Sequence, residues 1–218
     1  MNPVRRYAFV PFIALSVIHV LLIAFGNDGM VAATKPLLMP MLLLGFLSAA
    51  PMTHRLVVGL VVGGIVFSWA GDVLLQSPGD IGFLVGLGAF LVAHLFYITA
   101  FLKLGTGKVK LWVWAYLIWY GALLALLVPG LGSLVVPVIL YGAVLGTMAI
   151  LATRVNAVVG WGGLLFLVSD SILAMDRFMP GYALPASDVV IMTTYLIGEG
   201  LIAYGVVRAL RALNAQQS

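Results

Sequence analysis

The chain has 218 residues, of which 63% are hydrophobic and only 8% charged. A soluble domain carries about 25% charged residues, so this composition excludes a soluble globular protein and describes one whose surface meets lipid. The net charge of +4 suits the basic bias of membrane loops rather than a nucleic-acid partner, and the lack of cysteine excludes disulfides and thiolate metal sites.

A membrane crossing takes about 20 apolar residues. Eight stretches qualify: 7–25, 31–49, 55–76, 81–102, 111–128, 133–152, 157–175 and 188–211. They predict an all-α polytopic membrane protein, a bundle of eight transmembrane helices forming a single eight-span domain over residues 1–218. Short connections make sequence neighbours antiparallel. The first stretch has a basic start but no small-residue cleavage site, so it reads as a span and not a signal. If the spans alternate, Arg5, Arg6, Arg55, Lys103, Lys108, Lys110, Arg154, Arg208 and Arg211 fall on one side. Asp28, Asp80, Asp176, Arg177 and Asp188 fall on the other. The positive-inside rule then puts both termini in the cytoplasm. The expected location is multi-pass in a bacterial inner (plasma) membrane.

In the first span His19 has no partner visible by spacing and reads as structural. The second opens with Thr34-Lys35-Pro36 and continues to Pro40. Its prolines remove helix hydrogen bonds and predict a kink or restart. Lys35 either snorkels to the outer surface or lines a cavity.

The third span carries Ser68, Asp72 and Gln76, spaced four apart and therefore on one helix face. An Asp at the centre of a membrane helix costs roughly 2.5–3.5 kcal/mol on insertion scales. The seventh span accepts the same cost in Ser169-Asp170-Ser171. Both acids lie within about 6–8 Å of the outer end of helices that run the same way, so they share a depth and can approach each other. The bland alternative is that each pairs with a polar neighbour to hold helices together. A shared small–Asp–x–aliphatic–Leu pattern also points to a parallel internal repeat.

In the fourth span Phe90, His94, Tyr97 and Phe101 share a face. A lone His there is often a packing residue. In the eighth, Tyr195 and Glu199 are four apart, and Glu199 lies deeper than the aspartates, where it must be protonated, paired or facing water. Arg177, seven residues beyond Asp170, suits an anionic head group or an ordinary interfacial role.

There is no Gly-x-Ser-x-Gly elbow and no His-Glu-x-x-His. His94 with Asp72, Asp170 and Glu199 has no local ligand spacing, so no metal is expected. Two carboxylates in unlike surroundings suit acid/base chemistry.

Lys35-Pro36 with Pro40, Ser68 with Gly71-Asp72, Gly86-Leu87-Gly88-Ala89-Phe90 to His94 and Tyr97, Ser169-Asp170-Ser171, Arg177-Phe178, and Tyr195 with Glu199 together resemble the YhhN-like membrane family. The resemblance runs from the second span to the eighth. It implies an eight-span fold and hydrolysis of the vinyl ether bond of lysoplasmalogens, with a lysophospholipid and membrane lipids as partners and no cofactor. The family's paired aspartates match Asp72 and Asp170 as the catalytic residues. Lys35, Ser68, His94, Tyr97, Ser169, Arg177, Tyr195 and Glu199 would bind or position the substrate. Glu199 departs from the glutamine the family pattern leads one to expect.

Three rival readings differ in what they require. A proton-coupled transporter needs its acids reachable from both faces. An intramembrane aspartyl protease needs Gly-x-Gly-Asp, where this chain has Trp69-Ala70-Gly71-Asp72. A packing or lipid-sensing protein consumes no substrate.

Overall fold

The computed structural model describes residues 7–77, 79–109 and 114–217. Arg5, Arg6, Lys110 and the first residues of the expected span 111–128 lie outside the described residues. Within them the chain is all-helical, with no strand. Eight α-helices occur among the described residues: α1 (Val10–Ala24), α2 (Asp28–Ala49), α3 (Arg55–Leu74), α4 (Gly79–Leu104), α5 (Trp114–Leu131), α6 (Val135–Val155), α7 (Ala157–Phe178) and α8 (Ser187–Gln217).

Local chemistry sets several boundaries. Asn27 caps α2 by accepting from the Met30 amide at 3.2 Å. Asn156, in extended conformation, breaks α6 from α7. Its side-chain oxygen accepts from the amides of Val158 and Val159, and its Nδ2 donates to the Gly205 carbonyl of α8. The prolines of α2 do not interrupt it: the helix is continuous through Pro36 and Pro40.

Helical residues run almost unbroken from Trp114 to Val155, 42 in all. A straight helix would separate Tyr120 from Ile139 by nearly 30 Å, yet the Tyr120 hydroxyl donates to the Ile139 carbonyl. The run is therefore a hairpin. It reverses at Gly132, whose φ of +51° suits glycine, followed by the 3₁₀ turn Gly132–Leu134.

Counting that hairpin as one run, six helical segments are long and apolar enough to cross a membrane, and α1 is a shorter apolar helix. Large apolar side chains such as Leu21, Leu44, Leu56, Ile118 and Leu140 cover the outside. Leu38, Phe46, Ile65, Phe101, Phe166 and Ile202 form part of one buried core. An apolar exterior around an apolar core is what lipid solvation requires, so the chain is a multi-pass integral membrane protein.

α3 packs along α4 and α7 along α8. The second contact depends on glycines: a Cβ on Gly162 would lie 2.8 Å from the Gly198 carbonyl oxygen, so Gly162→Ala must push the two backbones apart. Overpacking of this kind typically costs about 1–3 kcal/mol. We expect Gly162→Ala to lower the unfolding midpoint in detergent, while Gly146→Ala, with open space at its Cβ, leaves it near wild type.

Candidate active site

All eight described helices contribute to the wall of a cavity of about 400 Å³. Its wall is mostly apolar, with Leu123, Leu127, Val138 and Phe178 among the lining side chains. Several polar groups interrupt it. α2 contributes Lys35, α3 contributes Asp72, α6 contributes Tyr141, α7 contributes Ser169, Asp170 and Ser171, and α8 contributes Tyr195. Asp72 and Asp170, distant in sequence, thus border one space.

Each aspartate is held through one oxygen. The Tyr195 hydroxyl donates to Asp72 Oδ2 at 2.8 Å. The Tyr141 hydroxyl donates to Asp170 Oδ2. Oδ1 of both acids takes no hydrogen bond among the described residues. Lys35 is close enough to Asp72 for their charges to interact. The two acids therefore have unlike surroundings. Asp72 is buried and shares its cavity wall with Lys35, and Asp170 is half-buried and bonded to the α6 tyrosine. Phe166 and Phe90 pack edge-on against the Tyr195 ring, with centroids 5.3 and 5.9 Å away, and so limit where its hydroxyl can point.

Behind the Asp72 side of the wall lies a second polar layer that does not border the cavity. Glu199 is fully buried, and its two oxygens accept from Ser68 at 2.7 Å and Tyr97 at 2.6 Å. The expected sharing of a face works here through the helix turn: Ser68 and Asp72 bond to Glu199 and Tyr195, which are themselves one turn apart on α8. Gly64 makes room for this layer, since a Cβ there would run into the Tyr97 ring.

Ser169 is on the cavity wall with its hydroxyl donated to the Ile191 carbonyl at 2.9 Å. His94 lies away from the lining, fully buried, and neither ring nitrogen has a hydrogen-bond partner among the described residues. Its ring packs against Phe166 and Tyr141, at 4.8 and 5.4 Å. Arg177 is not brought to the cavity. It pairs with Asp80 at 2.7 Å and lies over the Phe83 ring at 4.4 Å. Among the described residues no group of three or more His, Cys, Asp or Glu is arranged to hold a metal.

Several groups escape sequence reasoning. Tyr141 has no polar neighbour at helical spacing, so nothing local marks it as the partner of Asp170. His19 borders the cavity, with Nδ1 2.7 Å from the Thr34 hydroxyl. That hydroxyl donates to the Met30 carbonyl, so His19 Nδ1 carries the proton and Nε2 is an acceptor. Asp28 and Asp188, in the first turns of α2 and α8, also line the cavity.

An apolar helical bundle with an inner cavity and acids on its wall defines a multi-pass membrane protein of all-α construction. The chain belongs to the YhhN family, whose model matches residues 30–206. That stretch holds the sequence-derived site residues from Lys35 to Glu199 and leaves out α1 with His19. The chain is 36% identical over 152 residues to lysoplasmalogenase TMEM86B of Rattus norvegicus, covering 69% of this chain and 62% of that protein. It is 34% identical over 182 residues to lysoplasmalogenase TMEM86A of Homo sapiens, 76% and 70% of the two chains. It is 34% identical over 157 residues to the lysoplasmalogenase of Mycobacterium tuberculosis (strain CDC 1551 / Oshkosh), 66% and 59%. The chain thus spans less than two thirds of the length of the rat and mycobacterial relatives. No solved structure matches it.

The buried Glu199 layer makes a stability prediction. Glu199→Gln keeps an acceptor for Ser68 and gives Tyr97 an N–H to accept, so its unfolding midpoint should stay close to wild type. Glu199→Ala strands two buried hydroxyls and opens a void. Each stranded group costs about 1–3 kcal/mol, so a clear drop in midpoint is expected, read by thermal or denaturant unfolding in detergent.

Proposed function

We propose that the protein is a lysoplasmalogenase-like hydrolase that cleaves the vinyl ether bond of lysoplasmalogens to a fatty aldehyde and a glycerophospho-alcohol. The observation that carries this reading is the meeting of Asp72 and Asp170 on one cavity whose remaining wall is mostly hydrocarbon. The names of the similar proteins agree with it. A lysolipid has one polar end and one long chain. The apolar wall suits the chain, and Lys35 suits the phosphate.

The chemistry follows from the bond. A vinyl ether breaks after its β-carbon accepts a proton, which leaves an oxocarbenium ion. One aspartic acid delivers that proton. The other, as carboxylate, stabilises the cation and takes a proton from the water that adds to it. The hemiacetal then collapses: its C–O bond breaks, the glycerol oxygen leaves as a hydroxyl, and the carbonyl of the aldehyde forms. One water is consumed and the protons balance. Asp72, which shares its wall with Lys35, suits the ionised role, because a cation within electrostatic reach favours a carboxylate. Asp170, held by Tyr141, suits the acid. A low-dielectric wall strengthens the attraction between carboxylate and cation. Tyr195 and Tyr141 fix the two acids, and Ser68, Tyr97 and Glu199 brace the wall behind Asp72.

The same reading has eight crossings with both termini cytoplasmic, in a bacterial inner membrane. In its support, residues from the basic side gather at one end of the bundle. Arg211, in the last two turns of α8, donates to the carbonyl of Ala49 at the end of α2. Arg154 at the end of α6 donates to the carbonyls of Gly105 and Gly107, just after α4. The Arg177–Asp80 pair joins the end of α7 to the start of α4, as opposite-face loops would.

The test is aldehyde release by purified protein in detergent from a lysoplasmalogen, with the matched acyl lysophospholipid as control. We expect aldehyde from the vinyl ether only. Asp72→Asn and Asp170→Asn, each checked for folding, should fall by about 10²–10⁴-fold, the usual contribution of positioned acid–base groups. No aldehyde from folded wild type would sink the reaction, and undiminished turnover in either variant would sink the assignment of that acid.

A further inference from the structure

α2 keeps its course through two prolines, and each leaves the carbonyl four residues earlier, that of Ala32 and that of Pro36, without its helical partner. Pro40 has no N–H, so the oxygen of Pro36, four residues earlier, cannot receive the bond an α-helix would give it. In lipid no water replaces that bond, and an unpaired carbonyl is costly there. The indole Nε1–H of Trp69, on α3, donates to this oxygen at 2.8 Å. The carbonyl belongs to the residue after Lys35, and Trp69 stands within one turn of Asp72 on the same helix. The bond therefore ties the turn that bears the cavity cation to the turn that bears a cavity acid.

We propose that Trp69 is a positioning residue, whose indole N–H replaces the amide missing at Pro40 and thereby sets the place of Lys35 on the cavity wall relative to Asp72. The hydrogen bond missing at Pro40 frees a strong acceptor, and Trp69 uses that acceptor to fix α2 against α3. Its effect on the reaction goes through Lys35 and rests on the reading of that lysine as the phosphate-binding group. Trp69 is 40% exposed, so an ordinary tryptophan anchor at the membrane interface is the competing role. The two roles respond differently to a change at Pro40.

Trp69→Phe keeps an aromatic ring and removes the donor. Pro40→Ala restores the amide that can bond the Pro36 carbonyl within α2. Reactivity of Lys35 toward a water-soluble amine reagent, measured by peptide mass spectrometry with Lys103 as internal reference, reads the lysine's position without reference to any activity. We expect Trp69→Phe to change that reactivity about threefold or more, since one lost hydrogen bond corresponds to a several-fold change in an equilibrium. We expect Trp69→Phe/Pro40→Ala to return to the wild-type value. An anchor role predicts no rescue. Unchanged reactivity in the single variant, or no return in the double, would overturn the proposal. If Trp69→Phe alone does not fold, recovery of folded protein by adding Pro40→Ala supports the clasp, and failure to recover overturns it. In turnover, Trp69→Phe should raise KM several-fold with little change in kcat, and it should add nothing in a Lys35→Met background. An additive effect there would show that Trp69 does not act through Lys35. A wild type without turnover defeats the hydrolase reading and leaves the labelling result to decide the clasp.

Discussion

Three carboxylates lie inside a bundle whose exterior is hydrocarbon, and each is held by a tyrosine hydroxyl from another helix. Asp72 on α3 is held by Tyr195 on α8, Asp170 on α7 by Tyr141 on α6, and Glu199 on α8 by Tyr97 on α4. A buried carboxylate without such partners is expensive, and lipid supplies none. Tyrosine fits the need because its ring packs among apolar helices while its hydroxyl donates. The three bonds connect five helices across the middle of the bundle. Where α3 and α8 meet, they do so through these long side chains, since their backbones are in close contact with α4 and α7 instead. The polar links thus determine the width of the gap that becomes the cavity.

The two layers of polar groups divide the work. The layer facing the cavity leaves one oxygen of each aspartate without a hydrogen bond among the described residues. The layer behind, Ser68 with Tyr97 and Glu199, is saturated and enclosed. A fully satisfied buried network resists deformation, so it can hold α3 and α8 at a fixed spacing behind the cavity. This is a physical reason for residues one helical turn apart, such as Ser68 and Asp72, to serve different ends.

Much of this was legible in the sequence, and the legible part is what local spacing encodes. Apolar stretches mark helices. The pairing of Ser68 with Asp72 and of Tyr195 with Glu199 on common faces follows from the helix repeat. Two aspartates on helices running the same way, near the same ends, suggest a shared site. What spacing cannot encode is which helix comes alongside. Tyr141 sits among apolar neighbours and acquires its meaning only from α7. His19 looks isolated until α2 brings Thr34 beside it and the cavity reaches its ring. Trp69 lies in the same polar stretch as Asp72, yet its target is a carbonyl freed by a proline on another helix. Arg177 shows the same limit: the sequence leaves it between a head-group role and an ordinary interfacial one, and only the fold brings Asp80 and Phe83 of α4 to it. His94 shares its helix face with Tyr97, but the cavity wall closes in front of it.

One regularity joins the two aspartates to the fold's plan. Asp72 and Asp170 are 98 residues apart, and the same interval separates Tyr97 from Tyr195 and Gly64 from Gly162. The α3–α4 pair and the α7–α8 pair therefore carry glycine, acid and tyrosine in one register, as a parallel repeat would. If the bonding followed that symmetry, the counterpart of Tyr195 on Asp72 would be Tyr97 on Asp170. It is not. Glu199 stands where the first half has Phe101, and Tyr97 bonds to this additional acid instead. Asp170 is left to Tyr141 of α6, a helix outside both pairs. Lys35, which acts on Asp72, likewise comes from outside them. Two acids built on the same pattern thus end up with different neighbours. A reaction that needs one acid to donate a proton and the other to remain charged requires that difference, and in this chain Glu199, Tyr141 and Lys35 together depart from the repeat that would have made the two acids alike.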